Sequence, residues 1–207
     1  MINEDYNLES KAQHSNPFKI FGYGSLIWKP PPHFVDRQIG FIKGFVRRFA
    51  QSSHDHRGTI EKPGRVVTLV PTEEWTSLTD SDLFVSNVVW GVVYTINPIY
   101  EKEVKEYLDE REKDGYEMIE VSVYNQTDGN ESLLTKASVY VGHTDNPSFA
   151  GVTPLDELSE LIYKSVGPSG PNKDYLYNLN TEVHKLWEGV KDPYLERLTE
   201  LVSSLDS

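Results

Sequence analysis

Residues 21–26 read Phe-Gly-Tyr-Gly-Ser-Leu, and this stretch decides how the rest of the chain is interpreted. Just before it, Phe18 and Ile20 flank a lysine, as in the alternation of a short β-strand. The two glycines then allow the chain to leave the strand in a loop whose backbone N–H groups point at a ligand. On spacing alone, a ligand-binding loop and an ordinary tight turn are equally compatible with this pattern.

Two better-known glycine motifs are excluded for this stretch. A dinucleotide-binding fingerprint needs a third glycine and a helix that starts at once, whereas residues 28–32 read Trp-Lys-Pro-Pro-Pro and cannot open a helix. The nucleophile elbow of serine hydrolases needs the order G-x-S-x-G, which is absent here. The loop is therefore interpreted as neither a nucleotide site nor a nucleophile turn.

The segments after this loop predict strands first and helices last. Residues 72–86 are acidic and polar, which predicts a surface loop or insertion, and residues 1–16 are expected to form a flexible arm before a single domain at 17–207. The order predicts an α+β fold with a barrel-like mixed sheet and helices outside it. The predicted strands are 38–49 (one bent or bulged strand), 66–70, 88–96, 118–124 and 137–141, and the predicted helices are 101–112, 154–166, 175–187 and 194–205.

Composition excludes several classes of function. With 32 acidic and 20 basic side chains the formal net charge is -12, which disfavours nucleic acid and anionic membrane surfaces as partners. Cysteine is absent, so a disulfide framework, a thiolate nucleophile and a cysteine-based zinc site are impossible. The acidic start is unlike a signal peptide, and no apolar run approaches the roughly 20 residues of a membrane helix. We expect the cytoplasm, or cytoplasm and nucleus, as the location.

Two histidines and three arginines are candidate ligand-binding groups. His54 and His56 lie two residues apart, but no third metal ligand is evident, so a hydrogen-bonded polar loop is favoured. Arg47, Arg48 and Arg65 lie beside apolar strand positions, where they could hold a carboxylate in bidentate fashion. A structural ion pair is an equally open interpretation of these arginines.

Glu112 is a candidate general base at the end of the helix predicted over 101–112. It lies one turn after Leu108, on the flank of an apolar stripe, where partial burial would disfavour its charged form and help it accept a proton. The helical wheel alone favours a surface carboxylate, because Arg111 lies nearer the centre of the stripe.

Taken together and in order, these segments resemble the ChaC family of glutathione-specific γ-glutamylcyclotransferases. The resemblance runs from about residue 17 to residue 187, and an ordered series of motifs is far more specific than any one of them. The matching segments are 21–28, 47–49, 51–53, 55–58, 63–69, 90–92, 107–108, 111–113, 115–116, 140–142 and 167–170.

The resemblance implies the γ-glutamylcyclotransferase-like mixed β-barrel with surrounding helices. It implies that glutathione is the substrate and is converted to 5-oxoproline and Cys-Gly when its α-amine attacks its own γ-carbonyl. It implies Glu112 as the catalytic glutamate, which we take as the general base. The reaction leaves no task for a metal or a cofactor. With a net charge of -12, we expect no nucleic acid, no membrane and no obligate protein partner. It implies a substrate-binding loop of Phe21, Gly22, Tyr23, Gly24, Ser25 and Leu26, and we take Arg48, Ser53, Arg65 and Tyr116 as candidate substrate contacts.

Ala50 departs from the family pattern, which commonly has tryptophan after Arg-Arg-Phe, and the acidic segment at 72–86 is also particular to this chain. Neither removes a group that the chemistry needs. Two alternatives stay open: a cyclotransferase of the same fold acting on other γ-glutamyl compounds, and a non-catalytic γ-glutamyl-binding regulatory module.

Overall fold

A computed structural model describes residues 16–78, 84–112, 115–186 and 189–206. The flexible arm expected at 1–16 lies outside these ranges except for Asn16, which is exposed. In the described part of the chain, no helix combines the length and the apolar character needed to cross a membrane.

Five strands close into a barrel in the order β1-β5-β2-β6-β7. Neighbouring strands are antiparallel except β1 and β7, which run parallel with Ile20 opposite Ser138. Alternate residues point inward, so that side chains such as Val92 and Val139 are fully buried. The barrel strands are β1 (Lys19–Gly22), β2 (Phe34–Lys43), β5 (Val88–Ile96), β6 (Tyr116–Thr127) and β7 (Asn130–Gly142).

The strand predicted over 38–49 was wrong as a single element. The chain breaks at Gly44, whose φ of 87° lies in the left-handed region that favours glycine. Strand β3 (Phe45–Ser53) then leaves the barrel and pairs with β4 (Gly64–Pro71) in a separate two-stranded sheet. This second sheet forms a wall beside the end of β1, which is where the glycine loop begins.

The hairpin of β6 and β7 is longer than the strands predicted at 118–124 and 137–141. Its turn consists of Asp128 and Gly129, with φ values of 51° and 78°. Two consecutive left-handed residues match the twist of a two-residue hairpin turn, so the polar flanks stay paired to the tip.

The described residues contain five α-helices. They are α1 (Thr72–Leu78), α2 (Glu101–Arg111), α3 (Leu155–Lys164), α4 (Asn172–Leu186) and α5 (Pro193–Ser204). The acidic segment predicted as a loop at 72–86 therefore begins with a helix, which buries Trp75 against Val46, Ala50 and Val70. Before α2, the Asn97 side chain accepts a hydrogen bond from the Ile99 N–H and starts a short 3₁₀ turn.

Helix α4 lies against the barrel and brings its first turn to the second sheet. It buries Leu176, Leu179 and Val183 completely, and burial of each such side chain stabilises a fold by roughly 1.5–3 kcal/mol. At its start, the fully buried Asn172 accepts from the Arg65 N–H and donates to the Arg65 carbonyl, both at 2.7 Å. The connection before α4 is a small hairpin of β8 (Val166–Gly167) and β9 (Gly170–Pro171).

Candidate active site

A cavity of about 560 Å³ opens where the end of β1, the β3–β4 sheet, the end of α2 and the start of α4 meet. Elements from distant parts of the chain thus supply its walls. Aromatic side chains form much of the lining, and they are Phe21, Tyr23, Tyr107, Tyr116, Tyr140 and Tyr175. A partly apolar cavity with a few polar groups is the usual form of a small-molecule site.

The predicted substrate loop lies at this cavity. Five of its six residues line the cavity, and Gly22 is the exception. A Cβ atom on Gly22 would lie 2.6 Å from the Cβ of Leu26, so the sharp return of the chain requires glycine. The Tyr94 hydroxyl donates to the Leu26 carbonyl at 2.9 Å and fixes the far side of the turn.

Arg47 holds the loop without lining the cavity. Its side chain is almost fully buried and donates to the carbonyls of Tyr23 at 2.8 Å and Trp90 at 3.2 Å. It also forms an ion pair with Asp192 at 2.8 Å, and Asp192 caps the start of α5. Because the partners occupy three directions of one rigid guanidinium, the loop backbone is tied to both the barrel and the last helix.

The backbone of the loop keeps donors that no neighbour uses. The N–H groups of Gly24, Ser25 and Leu26 have no acceptor among the described residues. The 3₁₀ turn over Ser25–Ile27 explains this, because the first amides of a helical turn have no partner within it. These three amides lie in residues that line the cavity and can donate to an anionic or carbonyl oxygen there.

Glu112 lies just beyond α2 and lines the same cavity. Its N–H donates to the Leu108 carbonyl at 2.9 Å, and its side chain is only 20% exposed. Arg111 joins it to the loop, because the Arg111 Nε lies 3.4 Å from the Glu112 Oε1 while its Nη2 donates to the Ser25 hydroxyl. The candidate base and the loop are therefore on one cavity, linked by one arginine.

Three tyrosine hydroxyls lie near the Glu112 carboxylate. Burial raises the pKa of Tyr23, Tyr140 and Tyr175, and the charge of Glu112 raises each of them further. These hydroxyls therefore remain protonated donors at neutral pH. Tyr23 donates to the Tyr140 carbonyl at 2.8 Å and Tyr140 donates to Asp109 at 2.6 Å, so both rings are held in place.

The other sequence candidates divide into two groups. Ser53 and Tyr116 line the cavity, whereas Arg48 and Arg65 do not. Arg48 donates to the Phe84 carbonyl at 3.0 Å and its guanidinium lies 4.3 Å from the ring centre of Tyr194. Arg65 donates to the Gly64 carbonyl at 3.1 Å and to the Ser52 hydroxyl at 3.4 Å. The geometry thus favours the structural interpretation for both arginines.

Of the two histidines weighed as metal ligands, His56 lines the cavity and His54 does not. Among the described residues, no three histidine, aspartate or glutamate side chains are arranged to hold a metal ion.

The sequence interpretation did not select Arg57, Arg111 or Tyr175, and all three line the cavity. Tyr175 falls on the apolar stripe of α4, so its pattern is that of a core residue. Arg57 and Arg111 each lie within a quoted motif, but their type and spacing alone do not show which way they face.

Known proteins match this sequence and this fold. Residues 18–205 match the family model described as ChaC-like protein. The chain is 41% identical to the "Glutathione-specific gamma-glutamylcyclotransferase" of Schizosaccharomyces pombe, over 86% of this chain and 89% of that protein. It is 39% identical to the protein of the same name from Saccharomyces cerevisiae, over 89% of this chain and 95% of that one.

A solved structure also has this fold. The crystal structure of a γ-glutamylcyclotransferase specific to glutathione from yeast superposes with a TM-score of 0.81 at 36% identity, over 91% of this chain and 97% of that one. This likeness confirms the predicted α+β fold with a mixed barrel and surrounding helices. With a family model matching nearly all of the described residues, and relatives of about 40% identity along most of its length, the chain belongs to the ChaC-like family.

Proposed function

We propose that this protein is a γ-glutamylcyclotransferase that converts glutathione to 5-oxoproline and Cys-Gly. The observation that carries the proposal is the meeting of Glu112 and the loop of residues 21–26 on one cavity. The names of its relatives in two yeasts support glutathione as the substrate.

The reaction needs no group transfer to the protein. The α-amine of the γ-glutamyl unit attacks its own γ-carbonyl carbon, a C–N bond forms, and the C–N bond to cysteine breaks. One proton leaves the attacking nitrogen and one reaches the departing amine, so water is not consumed. A cavity that holds the glutamyl unit folded helps ring closure, since good intramolecular geometry contributes roughly 7–11 kcal/mol.

Glu112 has the position of the proton carrier in this scheme. Its carboxylate accepts the proton of the attacking amine and returns it to the leaving amine, and such help typically gives about 10²–10⁴-fold in rate. The Arg111 contact holds the carboxylate at the loop, where the reacting carbonyl would lie. The neighbouring tyrosine hydroxyls are neutral, so they do not compete for that proton. Tyr23 and Tyr140 already donate their own protons to protein acceptors, and the Tyr175 hydroxyl can donate to a substrate oxygen.

The loop has the donors for the developing oxyanion. In this scheme the unpartnered N–H groups of Gly24, Ser25 and Leu26 bind the tetrahedral oxygen and the substrate's α-carboxylate. Ser53 and Tyr116 line the same cavity and are proposed as further substrate contacts. A location in the cytoplasm, or in cytoplasm and nucleus, is part of the proposal and can be checked by imaging the tagged protein.

The test is the change Glu112→Gln, which keeps the shape of the side chain and removes its basicity. We expect release of 5-oxoproline and Cys-Gly from glutathione to fall by about 10²–10⁴-fold, while calorimetry still detects glutathione binding. Glu106→Gln is the matched control, because Glu106 lies on the helix that leads to Glu112 and its side chain is 69% exposed. Chromatography with mass detection measures both products.

Turnover by Glu112→Gln at the wild-type rate would contradict the assignment of the base. Wild-type protein that spares glutathione but cyclises γ-glutamyl amino acids or γ-glutamylamines would move the substrate to the wider class. Binding of glutathione with no products in any condition would favour a non-catalytic binding module.

A further inference from the structure

Arg57 presents a buried cation to the cavity. Its side chain lies in the segment after β3, the residue is only 7% exposed, and it lines the cavity. Its own N–H donates to the Ser53 hydroxyl at 2.9 Å, and its Nη1 donates to the Pro171 carbonyl at 3.0 Å. The guanidinium lies 5.7 Å from the ring centre of Tyr175, which supports it from one side. The side chain is thus held in a fixed direction.

The charge of Arg57 has no counterion among the described residues. Asp55 also lines the cavity, but its carboxylate lies 3.8 Å from the His56 Nε2 and forms no salt bridge with Arg57. Asp174 acts on Arg57 only through longer-range attraction, and burial lowers the pKa of the Arg57 guanidinium from its ordinary value. Burying a cation without a partner costs free energy, so an anion brought by a ligand would offset that cost.

Lys29 is the other cation to consider, since it also lines the cavity. Its side chain is exposed and keeps its water, which weakens any ion pair that it forms. A guanidinium also presents a planar pair of donors that matches both oxygens of a carboxylate, whereas an ammonium is a point charge. Arg57 is therefore the better carboxylate partner.

Glutathione carries two carboxylates, one beside the reacting amine and one at the C-terminal end of its peptide part. The α-carboxylate shares a carbon with the amine that must reach Glu112, which places it with Arg111 and the loop amides. Arg57 comes from the segment after β3, and Tyr175 contacts both regions, with its ring 5.7 Å from the Arg57 guanidinium and its hydroxyl next to Gly24 of the loop. The peptide part of the substrate would extend from the reacting carbonyl toward Arg57.

We propose that Arg57 binds the C-terminal carboxylate of the peptide part of the substrate and makes the site selective for γ-glutamyl peptides over γ-glutamyl compounds without that carboxylate. This inference rests on the proposed function, because it takes the reacting end of the substrate to lie at Glu112. It assigns the selectivity to a residue that does not take part in the chemistry.

The experiment compares glutathione with its C-terminal amide on wild-type protein and on Arg57→Gln. Wild type should prefer glutathione by about 10- to 100-fold in kcat/KM, which is the range for a charge-assisted hydrogen bond, and mainly through KM. Arg57→Gln should lose this preference, and Arg57→Lys should keep part of it. Arg197→Gln, on the exposed face of α5, is the control for the change in net charge.

Several results would overturn the inference. The inference is wrong if wild type has the same kcat/KM for glutathione and for its C-terminal amide. It is also wrong if Arg57→Gln lowers kcat/KM equally for both substrates. Selectivity that disappears in Lys29→Gln instead assigns the carboxylate to the lysine. A second analogue carries an amide in place of the α-carboxylate of the γ-glutamyl unit. If wild type prefers glutathione over this analogue and Arg57→Gln does not, Arg57 binds the α-carboxylate instead.

The failure of this inference is distinguishable from the failure of the proposed function. Calorimetry with Glu112→Gln protein, with and without Arg57→Gln, measures binding of glutathione and of its amide when no turnover occurs. Discrimination in binding that depends on Arg57, without any 5-oxoproline from wild type, would support the carboxylate contact and reject the enzyme.

Discussion

Arg47 and Arg48 lie near the start of strand β3, and Arg57 lies four residues beyond its end. The two regions differ in the groups that surround the positive charge. Arg47 and Arg48 are each 3% exposed and Arg57 is 7% exposed, so burial does not distinguish them. Arg47 has a carboxylate and two carbonyls as partners, whereas Arg57 has one carbonyl and an aromatic ring. The number and kind of hydrogen-bond and ion-pair partners, rather than residue type or burial, distinguish a structural arginine from one proposed to bind a ligand.

The largest effect that this comparison predicts is a loss of stability in Arg47→Gln. The change leaves Asp192 as a largely buried charge without its partner and removes a donor from the Tyr23 carbonyl. Breaking such a pair typically lowers the free energy of unfolding by about 3–5 kcal/mol. Urea denaturation measures the free energy of unfolding, with Arg197→Gln as the control for the change in net charge. Equal free energies of unfolding for Arg47→Gln and Arg197→Gln would contradict the structural role assigned to Arg47.

A smaller effect is expected from Gly24→Ala, which changes the cavity and not the framework. The new Cβ would lie 3.1 Å from both the Tyr175 hydroxyl and the Val67 Cγ2, so these neighbours must shift by a few tenths of an ångström. We expect kcat/KM for glutathione to fall by about 10-fold, because small displacements at a reacting centre are costly. The urea midpoint should stay near that of wild type, and a large drop in it would place Gly24 with the framework.

Arg57→Gln should change the free energy of unfolding by no more than about 1 kcal/mol. The change removes one hydrogen bond to Pro171 but also a buried cation that has no counterion, and these contributions oppose each other. Urea denaturation without substrate is the measurement. A loss as large as that of Arg47→Gln would show that Arg57 belongs to the framework after all.

The smallest effect concerns an exposed pair between α4 and α5, the helix that Asp192 caps. His184 of α4 lies 2.9 Å from Glu196 of α5, and the pKa of His184 is raised from 6.5, first by its bond to the Asn180 carbonyl and then by Glu196. A raised pKa means that this stabilisation is complete below about pH 6.5 and is lost as pH rises through the folded-state value. The contribution is at most about 1 kcal/mol, since the pair is exposed.

Thermal melts at pH 5.5 and pH 8.0 test this last point. His184→Gln should be less stable than wild type at the lower pH and closer to it at the higher pH. The opposite pH trend would contradict the sign of the shift.

The barrel strands and the last three helices were predictable because their patterns are local. Alternation and helical periodicity record burial directly, as in β5 and α4. The break at Gly44 was missed, since a glycine inside an apolar run is compatible with a bulge or with a turn. The Asp128-Gly129 turn carried a usable hairpin signal, and the prediction set its strands too short around it.

The helical wheel misjudged Glu112 for a physical reason. Helix α2 ends at Arg111, and the φ and ψ of Glu112 are -105° and 25°, so its side chain no longer follows the helical period. The wheel predicted a surface carboxylate, and the turn instead directs it into the cavity. The family resemblance pointed to Glu112 where periodicity did not, and its role as the base stays a prediction.

Arginine roles depended on contacts that a local pattern does not contain. Arg48 stacks on Tyr194, and Arg47 pairs with Asp192, both from the far end of the chain. Ala50 shows the same limit in the core. The tryptophan that the family commonly has at this position is absent, and Trp75 from the segment predicted as a loop packs beside Ala50 instead.

The Arg47–Asp192 pair also sets an order of events as the protein is made. The two residues are 145 positions apart, and Asp192 stands at the start of the last helix. Chains emerge from the ribosome at about 5–20 residues per second, so the barrel strands are available many seconds before this partner. The loop at Tyr23 gains its final support only when α5 docks, so a nascent chain completes its substrate site only after residues 193–204 have been made.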